Sequence, residues 1–303
     1  MRTNRQIEIR RCRPLLGTFV EVTTSGSKAA SLERGIDAAF AAVEKVHRLM
    51  SFHDPDSDVS RMNREAFPKS IIVHPWTWEV LETAQHLAQE SNGVFDIATA
   101  RLLASRGYLP KREYQPDNAA TWRDIFLRKN CRVFFRRQLV IDLGGIAKGF
   151  AVDRAVAALK ACGVKAGIVN AGGDLRVFGP ISRIIHVRHP ATRAFAAGAV
   201  RLAERAMATS GVYFNCRRHH GEYVSPLVDG CTRRFARELI SVSVAAAGCV
   251  VADALTKVVF ALREQAARLL KQYRADALIL ERDAAPSWNF NSSCDTPDRT
   301  QFD

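Results

Sequence analysis

The segment DLGGIAKGFAVDRAVAALKACG, from Asp142 to Gly163, constrains the fold more than any other stretch of the chain. The apolar run before it predicts a strand, Gly144 and Gly145 predict a turn, and the remainder predicts a helix that ends at Gly163. Glycines at such a junction let backbone N–H groups approach an anion closely, and Lys148 adds a full positive charge. The pattern fits a phosphate-binding turn, and it equally fits a plain tight turn with a solvated lysine.

Hydrophobic periodicity elsewhere predicts helices mixed with many short strands. The predicted helices are Ala29–Met50, a short helix capped by Asp56 or Ser57, Trp76–Ser91 and a long helix over Val250–Leu270. The predicted strands are Thr18–Thr24, Val133–Phe135, Leu139–Leu143, Val164–Val169, Leu175–Phe178, Ile184–Val187, Ala199–Leu202, Val212–Phe214, Tyr223–Val228, Leu239–Ala246 and Ala277–Leu280. This grouping predicts an α+β fold with a mostly antiparallel sheet and flanking helices. We expect one domain over residues 1–283 and a disordered polar tail over 284–303.

Charge and cysteine content restrict the classes of function. The 303 residues carry a net charge of +13, which favours anionic partners such as nucleic acid or phosphorylated cofactors. The basic residues lack the interleaved aromatic residues of an RNA-binding platform, so we expect no nucleic-acid partner. The seven cysteines form no C-x-x-C pair, which predicts reduced thiols and a cytoplasmic protein. Apolar stretches are too short for a membrane span.

Four further sites have both a structural and a functional interpretation. The segments NAGGD (170–174) and ATSG (208–211) resemble ordinary polar turns, although glycines also permit close approach of a ligand. Asp253 and Lys257 lie four residues apart on one helix face, as a simple ion pair would. Because their neighbours are apolar, we expect that pair to be partly buried and therefore either paired or functional. Asp229 precedes Gly230 and fits a turn aspartate.

Taken in order, these motifs resemble the ApbE-type FAD:protein FMN transferases, also called flavin transferases. The similarity runs from Leu16-Gly-Thr18 through SFHDPDSDVSRMN, Phe95-Asp96, DLGGIAKGFAVD, NAGGD and ATSG to the ADAL segment at Asp253. The resemblance implies an ApbE-like α+β fold and an enzyme that binds FAD. With Mg²⁺, such enzymes move FMN from FAD to a Thr or Ser hydroxyl of a target protein and release AMP.

The resemblance also implies roles for individual residues. Asp229 and Lys257 occupy catalytic positions, and the metal would be held by the carbonyl of Ala147 and the carboxylate of Asp253. The flavin pocket would be formed by Leu16, His53, Phe95, Asp96, Gly144, Phe150, Val228 and Thr256.

Two positions depart from the family pattern. Pro226 stands where the family has the histidine that activates the target hydroxyl, and a proline cannot move a proton. Lys257 stands where the family has a metal-ligating threonine, and a charged lysine has no acceptor for Mg²⁺. The alternative function is therefore a catalytically impaired flavin-binding homologue that acts as a carrier, sensor or partner subunit. His219 or His220 is a candidate replacement for the missing base.

Overall fold

The computed structural model describes residues 6–111, 116–188, 196–211, 217–219, 222–236, 240–281 and 287–289. Helices within these ranges are α1 (Ala29–Met50), α2 (Asp58–Glu65), α3 (Pro75–Glu90), α4 (Ala100–Ser105), α5 (Ala147–Ala161), α6 (Cys249–Leu262) and α7 (Ala267–Gln272). The strands there are β1 (Ile7–Leu15), β2 (Thr18–Gly26), β3 (Ile71–Ile72), β4 (Ile125–Arg128), β5 (Arg132–Phe135), β6 (Ala166–Ala171), β7 (Asp174–Phe178), β8 (Ser182–Arg188), β9 (Ala196–Ala203), β10 (Ala206–Gly211), β11 (Arg217–His219), β12 (Glu222–Val224), β13 (Ile240–Ala246), β14 (Asp276–Glu281) and β15 (Ser287–Asn289). None of the helices in these ranges has the length and apolarity needed to cross a bilayer.

The main sheet has eight strands in the order β1-β2-β6-β7-β10-β13-β14-β15. Each neighbouring pair is antiparallel. Helices α1, α5 and α6 pack together and against the sheet, and the β8–β9 ribbon adds Val187 and Leu202 to a separate apolar cluster with sheet residues such as Leu175. Both faces of the sheet are thus covered, and the predicted α+β fold with a mostly antiparallel sheet is confirmed.

A smaller sheet, β3-β5-β4, lies beside α2 and α3. Its residues Ile71, Val133 and Phe135 belong to the same buried cluster as Leu81 of α3 and Val22 of the main sheet. The small sheet therefore shares the main core with the large sheet, and the cluster under the β8–β9 ribbon is separate from it.

The predicted helix over Ala29–Met50 is confirmed at both ends by α1. Residues at helical spacing, including Ile36, Phe40 and Val43, are fully buried and give the helix one apolar face. The predicted short helix also forms, and of the two proposed caps Ser57 is the one that accepts the backbone N–H of Ser60, at 3.0 Å.

The predicted strand over Leu139–Leu143 is wrong. The segment is buried, yet it belongs to no sheet, because a side chain takes the place of a neighbouring strand. The Asn63 amide donates to the Ile141 carbonyl at 3.0 Å, and its oxygen accepts the Ile141 N–H at 2.8 Å. An apolar run shows that a segment is buried but not which group satisfies its backbone.

Two other expectations need correction. The single long helix over Val250–Leu270 is two helices, because Arg263 adopts a positive φ of 53° and ends α6. The basic N-terminal stretch, for which no strand was expected, is the edge strand β1. Its Arg13 pairs with Asp37 of α1 at 3.2 Å. The strand was not expected because charged residues are frequent in it, and charged residues are common on edge strands.

Two predicted segments fall wholly or partly on residues that the structure does not describe. Val212–Phe214 lies outside the described residues. Within the expected disordered tail, only Ser287–Asn289 are described, and these pair with β14. The five cysteines among the described residues are unpaired in the structure, and the reduced state remains a prediction.

Candidate active site

Two helices, α5 and α6, meet with their backbones almost in contact, and this crossing organises the site. A methyl group on Gly149 would lie 2.2 Å from the Cys249 carbonyl oxygen, so only glycine permits the approach. Asp153 of α5 also accepts the N–H of Val250 at 2.9 Å, which satisfies a donor in the first turn of α6. The crossing places Asp253 of α6 against the first turn of α5.

Asp253 is buried and fully engaged. One of its oxygens accepts the Gly149 N–H at 3.1 Å and lies 3.7 Å from the Lys148 ammonium. The other oxygen pairs with the Lys257 ammonium, which also donates to the Asp253 carbonyl at 3.0 Å. Burial alone would raise the pKa of Asp253, but Lys148 and Lys257 hold it below its ordinary value. The expected Asp253–Lys257 helix pair is therefore present, with its carboxylate buried.

A second buried carboxylate, Asp174, enters from the main sheet. The predicted NAGGD turn forms with positive φ at Gly172 and Gly173, and Asp174 begins β7 directly after it. Asp174 pairs with Lys148 from α5. Burial and the Asp253 charge raise the pKa of Asp174. The two carboxylates in turn raise the pKa of Lys148, against the lowering effect of burial.

The glycine turn connects this charged group to the predicted flavin residues. A methyl group on Gly145 would lie 3.4 Å from Cε of Lys257 and 3.7 Å from the Phe95 ring. One on Gly144 would lie 2.9 Å from the half-buried Asp142 carboxylate. Burial raises the pKa of Asp142, opposed by its backbone hydrogen bond to Gly144. Phe95, the glycines and Lys257 thus form one continuous surface.

Asp96 lies on the far side of Phe95 and is also buried. Its Oδ1 accepts the Ala98 N–H at 2.8 Å, whereas its Oδ2 has no hydrogen-bond partner among the described residues. The nearest cation is Arg233, 3.4 Å from Oδ2. Burial raises the pKa of Asp96 above its ordinary value, although the Ala98 N–H and Arg233 oppose this. Such an unsatisfied buried oxygen is a candidate acceptor for a ligand N–H.

Asp229 shapes the turn that packs against Asp96. Its Oδ1 accepts the N–H of Cys231 at 2.9 Å, and its Oδ2 accepts the hydroxyl of Thr232 at 2.6 Å. The neighbouring Gly230 donates its N–H to the Val94 carbonyl at 2.9 Å. The interpretation of Asp229 as a turn aspartate is confirmed, and the turn places it beside the predicted flavin pocket.

The other predicted pocket residues lie at different depths. Phe150 is buried, with its ring edge-on to Trp76, and Val228 bridges to Phe235 through the backbone. Thr256 is fully buried and donates to the Asp253 carbonyl at 2.6 Å.

Two of the predicted residues lie at the margins of the site. His53 is near enough to Asp142 to lower the pKa of that carboxyl. Leu16 lies at the β1–β2 turn, beside an open groove of about 610 Å³ that continues to His47 and Arg48 of α1. That groove does not include the Asp253 group, so we place the chemistry at the buried carboxylates rather than in the groove.

The sequence analysis did not predict two hydroxyl pairs, which lie on opposite faces of the main sheet. ATSG was expected to precede a strand, but it lies within the central strand β10. Ser210 Oγ lies 2.7 Å from Thr256 Oγ1, and Thr209 Oγ1 lies 2.8 Å from Ser243 Oγ of β13. Alternating serines in the β13 sequence ISVS were the available signal for the Thr209–Ser243 pair, since polar residues at every second position indicate a polar face. On the other face, Ser210 holds the Thr256 hydroxyl away from the Asp253 carboxylate.

The residues present do not fit a Mg²⁺ ion. Mg²⁺ requires oxygen ligands in near-octahedral geometry, and both Asp253 oxygens already accept bonds from Gly149 and Lys257. The described residues contain no group of three or more His, Cys, Asp or Glu side chains with metal-binding geometry. The Thr256 hydroxyl faces Ser210, while Ala147, the other expected ligand, begins α5 nearby.

Comparison with known proteins agrees with the fold and the motifs. The model of the ApbE family matches residues 16–279 of the chain. The chain belongs to the ApbE family. The FAD:protein FMN transferase of Rhodobacter capsulatus is 28% identical over 255 residues, which cover 79% of this chain and 49% of that protein. The chain thus spans about half the length of that relative. The enzyme of the same name from Vibrio cholerae is 26% identical, covering 74% of this chain and 72% of that protein.

A solved ApbE structure supports the same assignment. The crystal structure of the ApbE protein from Thermotoga maritima aligns with a TM-score of 0.83 and 27% identity, covering 94% of this chain and 97% of that one. The two positions at which the sequence analysis found departures from the family pattern can now be located. Pro226 precedes the Asp229 turn, and Lys257 contacts Asp253. The side chain of His219 and all of His220 lie outside the described residues.

Proposed function

We propose that the chain is an FAD:protein FMN transferase, which moves FMN from FAD to a Thr or Ser hydroxyl of a target protein. The observation that carries the proposal is the convergence of two ammonium groups, Lys148 and Lys257, on Asp253 at the first turn of α5. Ammonium N–H donors at a helix N-terminus beside a glycine turn suit a pyrophosphate. The names of the relatives support the transferase over a flavin-binding homologue without activity.

In the proposed reaction, the target hydroxyl oxygen bonds to the phosphorus on the FMN side of FAD. The bond from that phosphorus to the bridging oxygen breaks, and AMP leaves with that oxygen. The ammonium groups of Lys148 and Lys257 would stabilise negative charge on the pyrophosphate as it develops. Pro226 cannot accept the hydroxyl proton, which would pass to water instead, so we expect slow transfer.

The flavin would occupy the surface beside the glycine turn. Phe95 faces Gly145 and Lys257, and Asp96 offers its unsatisfied Oδ2 as a hydrogen-bond acceptor. Leu16, His53, Gly144, Phe150, Val228 and Thr256 remain proposed flavin contacts, and Asp229 remains a proposed catalytic residue. A cytoplasmic location is also a proposal, supported by the free cysteines.

The proposal is tested by incubating the purified chain with FAD and a target domain that carries an acceptor threonine. We expect covalent flavin fluorescence on the denatured target and an equal amount of released AMP. A target with valine in place of that threonine is the control. Because a positioned base contributes about 10²–10⁴-fold, Pro226→His should raise the transfer rate by at least about tenfold. FAD binding without AMP release in either protein, with or without Mg²⁺, would contradict the proposal.

A further inference from the structure

The charged group at the α5–α6 crossing is already neutral without a metal ion. It contains two buried carboxylates, Asp174 and Asp253, and two ammonium groups, Lys148 and Lys257. Two negative and two positive charges cancel, so no uncompensated carboxylate remains in this group. Two carboxylates with one lysine would instead leave a net negative charge, which a cation could offset.

The Lys257 ammonium is also paired with the Asp253 carboxylate oxygen that a divalent cation would need as a ligand. Its ammonium lies on one Asp253 oxygen, and its side chain is only 15% exposed, which indicates a packed position rather than a surface contact. A divalent ion at this oxygen would have to displace a buried ammonium and leave it near a second positive charge. Both steps are unfavourable in a site of low dielectric constant.

The Lys257 ammonium has one N–H donor left for a ligand. An ammonium has three N–H donors, and two of those on Lys257 are directed at the carbonyl and one carboxylate oxygen of Asp253. The third can donate to a phosphate oxygen. Gly145 lies between Cε of Lys257 and the Phe95 ring, since a methyl group there would be 3.4 Å from the one and 3.7 Å from the other, and this is the side on which we placed the flavin.

We propose that the Lys257 ammonium takes the place of the divalent cation, so that the protein binds FAD without Mg²⁺. This inference rests on the proposed function, because it concerns the same FAD site. It adds that the pyrophosphate of FAD is bound without a metal ion, and that Lys257 is the residue that removes the need for one.

The experiment is an FAD titration followed by flavin fluorescence, in millimolar Mg²⁺ and in EDTA. For the unsubstituted protein, we expect the two affinities to agree within about twofold. In Lys257→Thr the Asp253 oxygen loses its ammonium, so FAD should bind about tenfold more weakly in EDTA than in Mg²⁺. Lys257→Arg keeps the charge and should bind FAD equally in both buffers. Lys271→Thr, the same change at an exposed position of α7, is the matched control and should behave like the unsubstituted protein.

Direct metal binding gives an independent readout. Mn²⁺ added to the FAD-loaded protein is followed by electron paramagnetic resonance, with free FAD as the reference. We expect bound Mn²⁺ above that reference only for Lys257→Thr.

The possible failures are distinguishable. FAD binding by the unsubstituted protein only in Mg²⁺, or Mn²⁺ bound to it above the reference, overturns the inference and leaves the proposed function standing. Equal binding in both buffers by a folded Lys257→Thr also overturns it, because Lys257 then does not determine the requirement. No FAD binding in either buffer overturns both proposals.

Discussion

The backbone at Leu16 is in a conformation that leucine rarely adopts. Leu16 and Gly17 have φ values of 56° and 69° and form the two-residue turn between paired Leu15 and Thr18. Such turns favour asparagine or glycine at both positions, because a Cβ atom in the left-handed region costs about 1–2 kcal/mol. Strain of this kind is retained where a side chain has a function, and Leu16 is a proposed flavin contact.

Substitutions at Leu16 should separate backbone strain from the side chain. Leu16→Gly should be more stable than Leu16→Ala by about 1 kcal/mol, since both lose the side chain but only glycine relieves the positive φ. Urea unfolding measures the difference. Both variants should weaken FAD binding to a similar extent.

The matched control for Leu16 is Phe19, which is exposed on the adjoining strand β2. There, Phe19→Ala should be more stable than Phe19→Gly, the usual order for extended backbone. If alanine is also the more stable residue at position 16, the turn is not strained as described.

At the scale of single elements, helix α3 depends on an uncharged histidine. His74 precedes Pro75, and its Nδ1 accepts the Trp76 N–H at 3.0 Å as the helix N-cap. Burial, with a smaller contribution from Lys45, lowers the pKa of His74 below its ordinary value of 6.5. A protonated imidazole has no acceptor nitrogen, so protonation removes the cap.

His74 should therefore make stability depend on pH. At pH values between the lowered pKa of His74 in the folded protein and 6.5, the unfolded chain binds more protons than the folded protein does. This contribution is present above pH 6.5 and is lost as the pH falls toward the pKa of the folded state. His74→Asn keeps a capping oxygen that does not titrate, so its free energy of unfolding should change less between pH 7.5 and pH 5 (about the range in which histidine titrates). His86→Asn, the same change at an exposed position of the same helix, is the matched control.

Elements were predictable where local pattern alone specifies them. Helix α1 has an apolar residue at each helical interval over its whole length, so its ends follow from the sequence. Leu139–Leu143 has the same apolar character as a strand, but Asn63 supplies its backbone partner from helix α2. No local pattern contains that information, because the two residues are 78 positions apart.

At the scale of the whole molecule, Asn63 connects α2 with the candidate active site. It is buried, and its two bonds hold Ile141, one residue before Asp142 and the glycine turn. Asn63→Ala would leave a buried N–H and a buried carbonyl without partners. We expect the free energy of unfolding to fall by about 2–4 kcal/mol, measured in urea, with weaker FAD binding because the glycine turn loses its support.

The control for Asn63 is Gln138→Ala. Gln138 is half-buried and makes only a 3.5 Å bond to the Asn63 carbonyl, so its loss should cost less than about 0.5 kcal/mol. A cost at Asn63 no larger than that at Gln138 would show that the two backbone bonds to Ile141 do not support the turn.

The sequence by itself determined the family, the order of the motifs and the pairing of Asp253 with Lys257. That pairing is local, because residues four apart on a helix are neighbours whatever surrounds them. Only the tertiary structure decided that Lys148 and Asp174 join the pair, that Thr256 turns toward Ser210, and that two buried carboxylates are balanced by two ammonium groups. These contacts join residues from distant parts of the chain, and they exist because Gly149 lets α5 and α6 approach until their backbones touch.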